Sequence, residues 1–446
     1  MKKSPSSTEK NGTTLLGLIL KRRAKVGIMG LGYVGLPLAC EFARVGFPVT
    51  GYDVDPAKVK DIARGVSYIP DVPGEEVKSL VRSGKLTAVS DPKALSAMDA
   101  VIICVPTPLR KSRDPDVSYI VAAVDTLRKN FRPGQLIILE STTYPGTTRE
   151  IVLPVFAEGG KREVGRDFFL AFSPERVDPG NRTFRIRNTP KIVGGLTPLC
   201  GELARALYGS VVEKVVAVSS PEAAEMAKLL ENTFRAVNIG LVNEVALMCD
   251  RLKLDAWEVI NAAATKPFGF MAFYPGPGIG GHCIPLDPQY LSWKLKGLNF
   301  NARFIELADE INSHMPDHVV KRVGDALNSR SKSVNGSDVL VLGVTYKKDI
   351  TDVRESPALP VIDLLRERGA RVRYHDPFVP RLNGEVNLPS SSLTRDLLAK
   401  QDCVVIVTDH SRYALPIEDI VEASPLVVDC RNATKGIDVN GNVFKL

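Results

Sequence analysis

The run Phe273-Tyr274-Pro275-Gly276-Pro277-Gly278-Ile279-Gly280-Gly281-His282-Cys283-Ile284-Pro285-Leu286-Asp287-Pro288 carries the plainest chemistry of this chain. Cys283 is a thiol able to attack a carbonyl, and Asp287 follows four residues on. Glycine and proline make up half of the run, a bare backbone wall that core packing does not call for. His282 is a neighbouring base, although adjacent residues often point apart. A second constellation lies near the start: Gly30-x-Gly32-x-x-Gly35, between an apolar stretch and a helical one. Gly30 permits a tight turn, Gly32 lets a pyrophosphate approach the backbone, and Gly35 lets helix and strand pack closely. The helix N-terminus adds N–H groups and partial positive charge for the phosphates. Asp53, 23 positions after Gly30, is suited to accept hydrogen bonds from the adenosine ribose, which favours NAD over NADP. A thiol and a hydride acceptor together suit an enzyme that makes an aldehyde, traps it as a thiohemiacetal and oxidises it again.

Three further segments follow apolar strands, where ligands of open α/β sheets bind. Cys104-Val105-Pro106-Thr107-Pro108 is either a ligand loop or a proline-rich turn that shapes the lobe. Glu140-Ser141-Thr142-Thr143-Tyr144-Pro145-Gly146-Thr147-Thr148 offers hydroxyls for a ribose, a substrate oxygen or a water, or simply forms turns. In Ser173-Pro174-Glu175-Arg176-Val177-Asp178-Pro179-Gly180, Glu175 reads as a general base or water positioner, or as an ion-pair partner of Arg176 or Arg182. Lys228 and Asn232 stand four apart on a helix and share a face, so they either clamp an oxyanion together or are simply a solvated lysine and a helix-capping asparagine, which this segment alone favours.

Strands alternate with helices from Ala24 onward: apolar runs at 25–29, 49–53, 100–105, 136–140 and 168–172, with a helix from about 36 to 45. The pattern changes at Pro221 to a long breaker-poor helix, with more helix at 255–265 and 302–328. Strand runs return at 339–344, 370–376, 403–407 and 425–429, with a helix at 357–368. The fold class is therefore α/β: two Rossmann-like lobes with mostly parallel sheets, joined by a long central helical segment. Four segments are expected: a flexible basic arm over 1–23, an N-terminal NAD-binding domain over 24–220, a central helical dimerisation domain over 221–330 and a C-terminal domain over 331–446.

At 446 residues, 44% hydrophobic and 24% charged, the chain has the make-up of a globular protein of two or three domains. Its net charge of +7 lies partly in the first 25 residues and suits an anionic nucleotide substrate. No basic face with interleaved aromatics speaks for nucleic acid. The seven cysteines lack paired spacing, which predicts a reduced, cytoplasmic chain. The five histidines are dispersed, and no metal site is expected. The run Leu15–Leu20 is too short to span a bilayer, so no membrane partner is expected either.

With these motifs in order, the chain resembles the nucleotide-sugar 6-dehydrogenases of the UDP-glucose/GDP-mannose dehydrogenase family. The likeness runs from residue 24 to about 435 and rests on GLGYVG, CVPTP, ESTTYPGTT, SPERVDPG, AEMAKLLENTFRAVNIGLVNE, GPGIGGHCIPLDP and GVTYKKDITDVRESPA. It implies an N-terminal NAD lobe, a central dimerising region, a C-terminal lobe that binds UDP, and two oxidations that carry a C6 alcohol to a carboxylate. Carried over by motif, Cys283 is the thioester-forming nucleophile and Lys228 and Asn232 stabilise oxyanions. Asp287, Glu175 and Thr143 handle protons and water. NAD would meet Gly30, Gly32, Tyr33, Val34, Gly35, Asp53, Lys58, Pro106, Thr107, Thr142 and Arg354. The UDP-sugar would meet Glu175, Arg176, Lys228, Asn232, Tyr274, Gly276, Gly278, Gly280 and Lys347, with Arg431 a weaker transfer. The partner implied is a second copy of the chain, as a homodimer or larger homo-oligomer. Leu286 and Arg176-Val177 depart from the glucose-type pattern, and the combination is most similar to members acting on UDP-N-acetylglucosamine. UDP-N-acetylmannosamine, UDP-N-acetylgalactosamine and UDP-glucose stay open as substrates.

Overall fold

The computed structural model describes residues 7–110, 114–177, 181, 183–281, 283–384, 386–437 and 441–446. The chain divides into two compact units, Met1–Glu231 with Gln289–Leu298 and Asn232–Pro288 with Asn299–Leu446. The stretch 221–330, read from sequence as one central segment, is thus shared between the two.

In the first unit one sheet is built from β1 (Val26–Met29), β2 (Val49–Tyr52), β3 (Leu86–Val89), β4 (Ala100–Ile103), β5 (Leu136–Leu139), β6 (Phe169–Phe172), β7 (Lys191–Gly195) and β8 (Val215–Val218). Its order is β3-β2-β1-β4-β5-β6-β7-β8, and only the β6–β7 pairing is antiparallel. On β4, Ala100 and Ile102 face one core while Val101 and Ile103 face the other. Cover on both faces is why β1, β4, β5 and β6 are apolar and buried at every position. Strands β3, β7 and β8 go beyond those read from the sequence. β7 opens with a charged residue, and β8 is partly exposed along its length, so neither has the uniform apolar signature.

The expected flexible arm is corrected over Ser7–Leu20, which is helical. Leu15 and Ile19, four apart on one face, are buried in the same core as Leu203 and Leu207 of the helix Pro198–Tyr208. Burying two such side chains contributes about 1.5–3 kcal/mol each, enough to order a short helix flanked by basic residues.

The second unit holds β9 (Asp338–Leu342) and β10 (Arg371–His375), then the short antiparallel pair β11 (Arg381–Leu382) and β12 (Leu388–Pro389), then β13 (Cys403–Ile406), β14 (Val427–Asp429) and β15 (Val443–Lys445). Its five-stranded sheet runs β10-β9-β13-β14-β15 and is parallel throughout. Both units are Rossmann-like, and the helix Pro221–Leu252 continues from one into the other. No helix among the described residues is long and apolar enough to cross a membrane.

The two sheets repeat one backbone device. After β1, Gly30 adopts φ +90°, its N–H donates to Tyr52 O, and Leu31 N–H donates to Asp53 Oδ2 at 2.7 Å. After β9, Gly343 adopts φ +79°, its N–H donates to His375 O, and Val344 N–H donates to Asp376 Oδ2 at 2.7 Å. Only glycine takes such φ values at little cost, so each turn fixes a glycine at the end of its strand.

Candidate functional site

The turn after β1 meets the geometric needs of a dinucleotide. A Cβ on Gly35 would lie 1.8 Å from Gly30 O, whereas a Cβ on Gly32 would meet nothing within 4 Å. Helix and turn therefore press together at Gly35, while Gly32 leaves the backbone open to a ligand. The helix Gly35–Arg44 has no side-chain cap at Val34, so the partial positive charge of its N-terminus is left to meet an anion. Asp53 is buried and takes hydrogen bonds from Leu31 N–H, Asp55 N–H at 2.9 Å and Lys58 Nζ at 3.3 Å. A carboxylate offers about four acceptor sites, so one more donor can be met. Tyr33 is exposed beside this turn. These residues fit NAD.

Next to it, the ends of β4 and β5 are tied. Ser141 Oγ accepts from Val105 N–H at 2.9 Å and donates to Val105 O at 2.7 Å, which fixes the segment carrying Pro106 and Thr107. Tyr290 donates to Thr107 O at 2.7 Å. Thr142 is half-buried, and Thr143 is buried with its hydroxyl 2.6 Å from that of Thr147. Thr147 donates to Tyr144 O, so the Thr143 proton goes to Thr147 and the Thr143 oxygen is left as an acceptor. Glu225 pins this loop from the long helix, accepting from Gly146 N–H, Thr148 N–H and Thr148 Oγ1. Burial pushes the Glu225 carboxyl up.

Glu175 follows β6. Its Oε1 accepts from Arg176 N–H at 2.7 Å and Val177 N–H at 2.5 Å, and its Oε2 lies 3.3 Å from Lys191 Nζ. Arg176 does not pair with it but with Glu231, at 2.6 Å. Burial pushes Glu175 up, but the Lys191 charge, a hydrogen bond with Glu140, the Val177 N–H and the Lys228 charge outweigh it and hold the carboxyl at about 2. Lys191 also hydrogen-bonds Glu140, whose other oxygen takes the Tyr208 hydroxyl. Burial dominates at Glu140 and pushes it up to about 7. The residues Asp178–Gly180, Arg182 and His282 lie outside those described.

In the second unit the thiol loop meets its polar partners. Cys283 is half-buried and forms no disulfide. Its carbonyl accepts Asp287 N–H at 2.8 Å, which sets the thiol's residue one turn before the helix Asp287–Lys296. Asp287 is buried and accepts from Asn232 Nδ2 at 2.5 Å. The loop before Cys283 is stacked and stapled: Tyr274 lies parallel to Trp257 at 5.2 Å and donates to Asn261, and Gly276 N–H donates to Asn243 Oδ1. Gly278 packs on Pro357, and a Cβ on Gly280 would sit 2.5 Å from Tyr346 Cβ and 2.8 Å from Glu355 O. A Cβ on Gly276 would lie 2.6 Å from the Arg431 guanidinium, whose pKa burial lowers. The loop is thereby held against residues 346–357, which include half-buried Lys347 and exposed Arg354, the latter forked over Asp352.

Six residues were expected to do chemistry. The first unit holds Thr143, Glu175 and Lys228, and the second holds Asn232, Cys283 and Asp287. Three others do not stand out in the sequence: Glu140, Lys191 and Glu225. Glu225 had a signal, because residues 225, 228 and 232 fall on one face of a helix.

Residues 24–212 match the NAD binding domain of the UDP-glucose/GDP-mannose dehydrogenase family, 222–314 its central domain and 340–436 its UDP binding domain. The chain belongs to this family. It is an NAD-dependent nucleotide-sugar dehydrogenase whose C-terminal domain takes the UDP of a UDP-sugar. Relatives in the family include a UDP-N-acetyl-D-mannosamine dehydrogenase of Methanococcus maripaludis, 35% identical over 420 residues and covering 92% of both chains. A UDP-N-acetyl-D-glucosamine 6-dehydrogenase of Pseudomonas aeruginosa is also 35% identical, over 87% of this chain and 91% of its own. Among solved structures, a UDP-D-ManNAc dehydrogenase from Pyrococcus horikoshii aligns with a TM-score of 0.86 at 34% identity, covering 94% of this chain and 98% of that one.

Proposed function

We propose that this dehydrogenase oxidises C6 of a UDP-N-acetylhexosamine, UDP-N-acetylglucosamine in the first instance, to the carboxylate through a Cys283 thioester. The observation that carries the reading is the stapled loop Tyr274–Gly281 ending at Cys283, with Asp287 holding Asn232 one turn beyond. Bound NAD supplies the hydride acceptor for both oxidations, two equivalents per sugar. Gly30, Gly32, Gly35 and Asp53 hold it, with Tyr33, Val34, Lys58, Pro106, Thr107, Thr142 and Arg354 around it. Lys228 takes the C6 hydroxyl proton. Cys283 Sγ then adds to the aldehyde carbon, and Lys228 and Asn232 Nδ2 receive the alkoxide of the thiohemiacetal. The second oxidation leaves a thioester. Asp287, Thr143 and Glu175 hold the water that cleaves its C–S bond, releasing the carboxylate and regenerating the thiol. Tyr274, Gly276, Gly278, Gly280, Lys347 and Arg176 embrace the UDP-sugar.

UDP-N-acetylmannosamine is the second reading, supported by relatives of that name at equal identity. Phe234, Leu241 and Met248, spaced by seven on the long helix, expose an apolar stripe that supports a homodimer through this helix. A cytoplasmic setting agrees with the reduced cysteines. The test is a turnover panel of UDP-sugars with NAD, scored by NADH yield, on the wild-type chain and on Cys283→Ser. Two NADH per N-acetylated sugar and a stalled Cys283→Ser are expected. A clear preference for UDP-glucose sinks the substrate assignment, and an unchanged Cys283→Ser sinks the thioester.

A further inference from the structure

Lys191 sits between two carboxyl groups. It hydrogen-bonds Glu140 Oε1 and lies 3.3 Å from Glu175 Oε2. Side-chain exposure falls from 16% at Glu175 through 6% at Lys191 to 0% at Glu140. Both carboxyl groups therefore meet one and the same nitrogen, which makes their oxygens close neighbours. Lys191 is the ammonium that touches both carboxyl groups, and like charges held this close do not both ionise readily. We propose that Glu140 and Glu175 share one proton around Lys191, so that the acid–base unit is this pair, with Glu140 a positioning residue that never touches substrate. The proposal rests on the reading that Glu175 meets the reacting water.

The groups facing the pair come from four elements. Tyr208 donates from its helix, Cys104 lies beyond the end of β4, Lys191 opens β7, and Lys228 faces Glu175 from the long helix. The pair titrates as a unit, one proton leaving below the ordinary carboxylate range and the other above it, rather than as two independent acids. Above the upper value it is doubly ionised and has room for one proton. A water O–H bond then breaks as Glu175 gains the proton. The proton moves on to Glu140, and Glu175 is a carboxylate again.

The test measures kcat and KM against pH for the full-length wild type, Glu140→Gln and Glu175→Gln, with NAD and the UDP-sugar that the wild type turns over. It also follows the infrared band of protonated carboxyl groups in the ligand-free proteins. The wild type should show a kcat inflection and loss of the band near pH 7. Glu140→Gln should lose both, with kcat at pH 8 lower by roughly tenfold, a fraction of the ~10²–10⁴ of a full general base, and with KM unchanged. A wild-type profile and band in Glu140→Gln overturn the proposal. Should that variant not fold, Tyr208→Phe removes a donor to the Glu140 anion and should move inflection and band to higher pH; no movement overturns the proposal equally. An unaltered kcat in Glu175→Gln with loss of the band removes Glu175 from the reaction and leaves the shared proton standing.

Discussion

Glu225→Ala is the sharpest test of how the first unit holds its reactive loop. The Glu225 side chain is fully buried and accepts from Gly146 N–H at 2.6 Å, Thr148 N–H at 2.9 Å and Thr148 Oγ1 at 2.7 Å. Alanine leaves two backbone donors and a hydroxyl without an acceptor, at about 1–3 kcal/mol for each buried donor. The hydroxyl can rotate toward another partner, so the two N–H groups set the scale. Part of the loss returns because a carboxylate no longer has to be desolvated, the same burial that raises its pKa. The net expectation is about 3 kcal/mol, within the ~3–5 kcal/mol for breaking a buried charged network on one side. Urea denaturation of the full chain reads it as a shift in midpoint at constant slope. The loop carries Thr143, so kcat should fall as well. A stability loss below about 1 kcal/mol would refute the hydrogen-bond reasoning, and a full stability loss with unchanged kcat would detach the loop from the chemistry.

Gly35→Ala places a Cβ 1.8 Å from a backbone oxygen, so the turn must shift; NAD affinity measured by calorimetry should fall, with about 1–3 kcal/mol of overpacking in stability. Asn232→Ala removes the donor to Asp287 and should lower kcat by about 10²–10³ in steady-state assays, with a smaller change in KM. The Glu140 carboxyl, raised to about 7 in the fold against 4.5 outside it, contributes stability that is complete below pH 4.5 and lost as pH rises through 7. Melting temperatures of wild type minus Glu140→Gln should therefore decline over that window, and a flat difference would contradict the buried-acid assignment.

The sequence carried most of the cofactor site because its parts are local. A glycine turn, the helix after it and an acid at the next strand's end are dictated by backbone geometry, and each lies where it was read. The thiol loop was legible for the same reason. Lys191 was not, since its partner Glu140 lies 51 residues away in the chain and only the β5–β6–β7 pairing brings them together. Glu225 was hidden in another way: its partners are main-chain N–H groups, which leave no trace in residue types. In Ser7–Leu20 the helical signal is faint because the buried pair, Leu15 and Ile19, stands among polar and basic neighbours.

Asp53 and Asp376 brace matching turns, yet their surroundings differ. Asp376 is closed over by His410, whose Nε2 lies 3.0 Å from the same oxygen that takes Val344 N–H. In that lobe the carboxylate braces Val344, Phe378 and His410, and its counterpart in the first lobe braces the turn in the same way. Asp53 is a strut of the turn as well as the proposed partner of the ribose. Converting this enzyme to NADP by replacing Asp53 with a neutral or basic residue would therefore loosen the Gly30 turn along with the discrimination. A redesign should leave Asp53 in place and recruit the extra phosphate through exposed neighbours such as Val54.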